Sequence, residues 1–223
     1  MARSKAFKQD SIVVIGLGRF GGAVAESLVR LGHEVLGIDV DLDLVQRWSD
    51  RLTHVVQADT TQVEVLQRLG ANAFNHAIVA IGTDVEASVL TVLALSDLGV
   101  QDIWAKALEP KHGRILERTG AHHVIYPEAA MGERVAHMVS GKMIDFIQFE
   151  DNFAIAKTCA PREAFGKSLA DSALRSKYGV TVVGVKRPQT DFAHANPETR
   201  IEEGDLIIVS GPTHLVERFA SLT

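Results

Sequence analysis

Cysteine is almost absent from this sequence. Cys159 stands alone, so no disulfide can form within the chain, in keeping with a reducing compartment. It lies in a stretch of alternating apolar residues, where packing is its expected role. No apolar run approaches the roughly 20 residues needed to span a bilayer, which excludes a membrane-crossing helix. The opening Met-Ala-Arg-Ser-Lys-Ala-Phe-Lys-Gln-Asp has basic residues but no apolar core and no small-residue cleavage pattern. A secretory leader is therefore not expected, and the chain is expected to stay where it is made. Basic residues are outnumbered, 23 against 28 acidic, for a net charge of −5. With no basic field to meet a polyanionic backbone, nucleic acid is not an expected partner. Internal repeats, low-complexity tracts and long charge runs are also missing. What remains, 46% hydrophobic and 23% charged over 223 residues, is ordinary for globular protein and sufficient for two modest cores.

From Ser11 to about Tyr126, short β-branched runs alternate with longer stretches of helical period. The runs at 12–15, 34–38, 54–57, 76–80, 102–105 and 123–126 read as strands, and 20–30, 41–50, 61–69, 84–98 and 110–118 as helices. Strands apolar on both faces and separated by helices imply a parallel sheet covered on both sides, with right-handed crossovers. The expected fold is α/β, a Rossmann-type doubly wound parallel sheet over residues 10–127. An amphipathic helix at 128–140 follows, with Met131, Val135, Met138 and Val139 on one side and Gly141 as its stop. Residues 128–150 read as a linker or crossover helix. A small α+β C-terminal domain is expected over 151–223: a strand at 153–158, a helix at 168–176, a strand at 180–185, a loop at 187–196, the turn Glu202-Glu203-Gly204-Asp205, a strand at 206–209 and a helix at 213–219. At roughly 70 residues this second domain is marginal as a lone monomer, which points to a partner surface.

The chemistry concentrates where the first strand ends. The run at 12–15 passes straight into Gly16-Leu17-Gly18-Arg19-Phe20-Gly21, and a helix opens near Phe20, which is the setting a dinucleotide-type turn requires. Gly16 permits the tight turn, Gly18 lets backbone approach a phosphate, and Gly21 lets helix and sheet pack closely. The helix's open amides and positive dipole end then hold an anion. Asp39, at the end of the second strand, is placed to accept both ribose hydroxyls and to repel a 2′-phosphate. Gln57-Ala58-Asp59-Thr60 follows the third strand on the adenine side, although Asp59 and Thr60 serve equally well as a helix N-cap. Ile81 and Gly82, after the fourth strand, line the ribose side. Arg19 either reaches a further anionic group beyond the diphosphate or is simply exposed.

Together with Ile38-Asp39, Val79-Ala80-Ile81-Gly82, Trp104-Ala105-Lys106-Ala107 and Tyr126-Pro127-Glu128, these motifs resemble the cytosolic gating subunits of bacterial Ktr/Trk potassium transport systems, known as RCK or KTN proteins. The likeness continues through Leu174-Arg175-Ser176-Lys177-Tyr178-Gly179-Val180, Asn196-Pro197-Glu198 and Glu203-Gly204-Asp205-Leu206-Ile207-Ile208-Val209-Ser210-Gly211. One nucleotide domain plus one C-terminal domain matches the Ktr regulatory subunit best. The resemblance implies homodimers in an eight-membered ring beneath a KtrB/TrkH-like potassium-translocating subunit, hence a cytoplasmic protein held at the inner face of the membrane. It implies ATP and ADP in the glycine-turn cleft, with ATP favouring conduction, Arg19 at the γ-phosphate, Asp39 at the ribose, and Asp59 and Thr60 at the adenine. It places Lys106 in the phosphate region and Glu128 on a cation near the phosphates, Mg²⁺, Ca²⁺ or Na⁺. Glu128 after Pro127 is also an ordinary helix opening. Some family members bind cyclic di-AMP between two C-terminal domains, and Arg175 matches the arginine of that pocket. Ser168-Leu169-Ala170-Asp171-Ser172-Ala173 departs from the family there, lacking its isoleucines, and Arg175 equally suits a helix C-terminus.

An NAD-dependent oxidoreductase is the main rival, since the same turn and acid suit NAD(H). It would need an acid or base beside the nicotinamide, and His194 and His214 have nothing arranged around them. His122 and His123 have no spaced metal-ligand partners and are expected to pack or solvate. A redox-sensing repressor would need a basic recognition helix, which the charge balance opposes. A non-enzymatic regulatory subunit is the expected function.

Overall fold

The computed structural model describes residues 11–139, 143–149 and 152–222. The helix stop expected at Gly141 lies outside them. The chain divides into two units, the first ending at Glu128 and the second beginning at Ala129.

In the first unit strands and helices alternate: β1 (Ser11–Ile15), α1 (Arg19–Arg30), β2 (Glu34–Asp39), α2 (Leu42–Trp48), β3 (His54–Gln57), α3 (Val63–Arg68), β4 (His76–Val79), α4 (Val85–Asp97), β5 (Asp102–Lys106), α5 (Pro110–Thr119) and β6 (His123–Ile125), followed by α6 (Pro127–Val139). The sheet order is β3-β2-β1-β4-β5-β6 and every pairing is parallel. The order reverses between β1 and β4, and in such sheets the crevice beyond the strands' carboxyl ends at that point is where ligands sit. Val13, Ile15, Ile38, Val79 and Ile103 face Leu66, Val92, Leu95 and Leu116 of α3, α4 and α5. Ile12, Val14 and Val35 form the opposite core with Ala25 and Trp48 of α1 and α2. Burying about a dozen such side chains, at about 1.5–3 kcal/mol each, drives the layering.

The second face is less apolar than expected beyond β4. Asp102 Oδ2 accepts from His76 Nδ1 at 2.6 Å and Trp104 Nε1 at 3.0 Å, while His123 Nε2 lies 3.2 Å from Oδ1 and its ring stacks on Trp104 at 4.0 Å. His122 Nδ1 accepts from the Ile103 amide. No group of three or more His, Cys, Asp or Glu side chains suited to a metal occurs among the described residues.

The second unit holds β7 (Asp145–Phe149), β8 (Phe153–Cys159), α7 (Leu169–Ser172), α8 (Leu174–Tyr178), β9 (Thr181–Lys186), β10 (Ala193–His194), β11 (Leu206–Pro212) and α9 (Thr213–Ala220). They form an antiparallel sheet in the order β10-β9-β11-β8-β7, its core built by Phe146, Ala156, Leu174, Ile207, Val209, Val216 and Phe219. Several sequence expectations are corrected here. Residues 145–149, expected in the linker, are a strand paired with β8, and residues 193–194 of the expected loop are a short edge strand. The helix expected at 168–176 is two helices, interrupted where Ala173 takes a left-handed φ of 51°. Cys159 is exposed rather than packed. On the apolar side of α6, Met131, Val135 and Val139 are exposed and Met138 is half-buried. No helix among the described residues is long and apolar enough to cross a membrane.

Candidate nucleotide-binding site

Backbone geometry at the end of β1 dictates its glycines. Gly16 has φ of 91°, and a Cβ there would stand 3.0 Å from the Ala80 carbonyl carbon. Its amide donates to Ile38 O at 2.8 Å, and the Ala80 amide to Ile15 O at 2.7 Å, so the turn is pinned from both neighbouring strands. A Cβ on Gly21 would fall 1.8 Å from Gly16 O, and one on Gly22 would fall 2.2 Å from the Trp48 ring, whose Nε1 donates to Leu17 O. These glycines are required by the protein itself. Gly18 is different: a Cβ there meets nothing within 4 Å. It caps α1 with extended backbone and no side-chain bond, and no acidic residue occupies the first turn. The first amides of α1, which have no acceptor within the helix, therefore face an anion-compatible space.

Asp39 is fixed at the rim of this space. Its Oδ2 accepts from the Leu17 amide at 2.6 Å and its Oδ1 from the Asp41 amide at 2.9 Å, leaving each oxygen a lone pair for a ribose hydroxyl. After β3, Asp59 accepts from the Thr61 amide and hydroxyl, and the hydroxyl first, then the amide, holds its carboxyl below the usual range. The N-cap of α3 is Gln62, not Asp59 or Thr60. Thr60 is buried, its hydroxyl turned onto Thr91 at 2.8 Å, so any ligand contact it makes is through backbone. Ile81 packs against the core beside the crevice, and Gly82 leaves room for Lys106, whose Nζ would lie 3.1 Å from a Cβ.

Lys106 is only 8% exposed, and its Nζ donates to Glu128 Oε1 at 2.5 Å and lies 5.8 Å from the centre of the Phe20 ring. That hydrogen bond, helped by the field of exposed Arg19, holds the Glu128 carboxyl below its ordinary value. The two residues stand 22 positions apart, and no spacing in the sequence signals the pair. Parallel pairing of β5 with β6 sets Lys106 opposite Ile125, three residues before Glu128, and so brings them together. The crevice thus gathers an open helix end, one fixed acid, two cations, and one acid already neutralised. In the second unit, Arg175 lines a cavity of about 780 Å³ together with Ala173, Leu174, Thr181, Asn196 and Pro197. His194 and His214 are exposed, on β10 and at the start of α9.

Comparison with known proteins identifies the domains of the chain. The TrkA-N domain model matches residues 12–127 and the TrkA-C domain model residues 160–223. The chain is 37% identical over 213 residues to the Ktr system potassium uptake protein A of Bacillus subtilis (strain 168), covering 95% of this chain and 96% of that protein. Among solved structures, the GsuK channel bound to NAD superposes with a TM-score of 0.67 at 20% identity, over 96% of this chain and 39% of that one. GsuK bound to ADP superposes with a TM-score of 0.53 at 20% identity, over 61% and 36%. This chain therefore spans well under half of each GsuK chain, and that likeness concerns the fold. Two domain models in sequence order and more than one-third identity over nearly the full length establish that the chain belongs to the TrkA-N/TrkA-C family of the Ktr potassium uptake proteins.

Proposed function

We propose that this chain is a nucleotide-sensing gating subunit of a potassium transport system, in which exchange of ATP and ADP in the crevice controls ion flux. The observation that carries the reading is the helix end at Gly18. No neighbouring protein atom excludes a side chain there; Arg19 follows it directly and the Lys106 ammonium lies over the Phe20 ring of the same turn. The diphosphate takes the α1 amides, the ribose takes Asp39, and the adenine lies against the Asp59-Thr60 backbone with Ile81 and Gly82 on the ribose side. Arg19 meets the γ-phosphate, the one group that distinguishes the two ligands. A ligand shifts a conformational equilibrium only through differential contacts, and this supplies one. Glu128 shares Mg²⁺, Ca²⁺ or Na⁺ with phosphate oxygens, which must provide most of the coordination because this chain offers one carboxylate there. NAD(H) fits the same turn and acid, but binding it calls for no hydride transfer.

Two exposed surfaces support an assembly. Glu86, Leu90, Leu93 and Asp97 share one face of α4, while α5 presents Lys111, Ile115 and Arg118, all exposed. Apolar centres with opposite charges on the two helices, together with exposed Met131, Val135 and Val139 of α6, support homodimers joined into an octameric ring. The ring sits in the cytoplasm against a KtrB/TrkH-like membrane subunit and needs no nucleic acid. In the paired C-terminal units, the cavity at Arg175 takes cyclic di-AMP. The protein is not an enzyme. Mass spectrometry of the ligand retained on purification, with an NADH consumption assay on the same sample, tests the proposal. ATP or ADP without turnover supports it, and substrate-dependent NADH oxidation overturns it.

A further inference from the structure

Lys106 and Glu128 are an unequal pair. The lysine side chain is 10% exposed and the glutamate side chain 64%. A buried ammonium is costly unless paired, so the cation is held in place and its carboxylate partner lies at the surface, free to leave. The fixed Nζ sits between Gly82 and the Phe20 ring, and Phe20 belongs to the first turn of α1. Its charge therefore stands beside the phosphate-compatible helix end. Resting on the nucleotide reading of this crevice, we propose that Lys106 is a built-in counter-ion that sets the cation requirement of the site. While Lys106 neutralises Glu128, a diphosphate enters without meeting a bare carboxylate and needs no added cation. A third phosphate competes for the fixed Nζ, displaces the exposed carboxylate, and leaves Glu128 to be neutralised by an external cation. The switch from cation-independent to cation-dependent binding is thus a property of this ion pair.

Calorimetry with ADP and ATP, in EDTA and in Mg²⁺, on the full chain tests this. Lys106→Met should lose roughly 10- to 100-fold in ADP affinity in EDTA, the scale of one charged contact, and recover most of it in Mg²⁺. Lys106→Met/Glu128→Gln, with no acid left to neutralise, should bind ADP in EDTA within about threefold of the parent, because non-additivity reports the coupling. Equal losses in EDTA and Mg²⁺ with no recovery in the double variant would mean that Lys106 serves the phosphates directly, and would overturn the proposal. Glu128→Gln alone, a change at an exposed position, gives a second reading that does not depend on removing a buried lysine. ATP binding should lose its dependence on Mg²⁺, and retention of that dependence would overturn the proposal. Failure of the parent to bind either nucleotide is a separate result and refutes the nucleotide reading itself.

Discussion

Gly18 and Gly21 offer a clean separation of ligand from fold. Gly18→Ala adds a methyl group to open space at φ of −63°. Alanine is the poorer N-cap by up to about 1 kcal/mol, and the substitution regains about 0.4–1 kcal/mol from the less flexible unfolded chain, so net stability should change by less than about 0.5 kcal/mol. That corresponds to a Tm shift of no more than about 4 °C. The same methyl stands before the first amides of α1. Losing one phosphate–amide bond costs about 1.5–3 kcal/mol for a charged acceptor, so ADP affinity should fall about 10- to 100-fold. Gly21→Ala does the opposite, because its Cβ would lie 1.8 Å from Gly16 O, backbone on both sides that cannot rotate away. It should destabilise the first unit by about 3 kcal/mol or more. Calorimetry with ADP alongside differential scanning separates the two effects. ADP binding by Gly18→Ala at parental affinity would refute the placement of the phosphates.

Arg19→Ala should weaken ATP by about 1.5–3 kcal/mol and leave ADP nearly unchanged, measured by titration with both; equal losses would assign Arg19 to the diphosphate or the fold. Cyclic di-AMP should raise the Tm of the parent and not of Arg175→Ala, and the absence of any heat or thermal shift with the parent would leave Arg175 as a helix-end cation. His112 is buried, and burial, opposed only by Glu109, keeps its imidazole below the ordinary value of 6.5. The unfolded chain therefore binds the proton first, so this contribution to stability is complete above about pH 6.5 and is lost as pH falls through the lower folded value. In thermal melts from about pH 7.5 to 5, the Tm of the parent should fall more steeply than that of His112→Asn; identical profiles would show that His112 does not contribute to the pH dependence.

The glycine turn was legible because its parts are contiguous: a β-branched run, three glycines and a helix within a few residues, with Asp39 closing the next strand. The strands of the first unit were legible for the same reason, since each is a local run bounded by a helix. β7 was not, because an edge strand that buries only Phe146 leaves no clear alternation, and two-residue β10 is too short to have a period. Nothing marks Ala173 as left-handed, a conformation alanine adopts only when the flanking helices impose it. Cys159 was misread because the alternation of β8 continues to its last residue, which points outward. The roles of Asp59 and Thr60 depended on which way each side chain turned, and a sequence does not record that. The Lys106–Glu128 contact required the strand order, which juxtaposes the ends of β5 and β6.

The nucleotide state of this chain is expected to govern potassium flux. This is tested most directly in proteoliposomes carrying the potassium-translocating membrane subunit of the same organism, with the purified full chain added and Mg²⁺ present. Potassium flux should rise with ATP, fall when ADP replaces it, and respond to neither nucleotide when Arg19→Ala is used. Equal flux with ATP, ADP and no nucleotide, at concentrations where calorimetry shows both bound, would contradict the account.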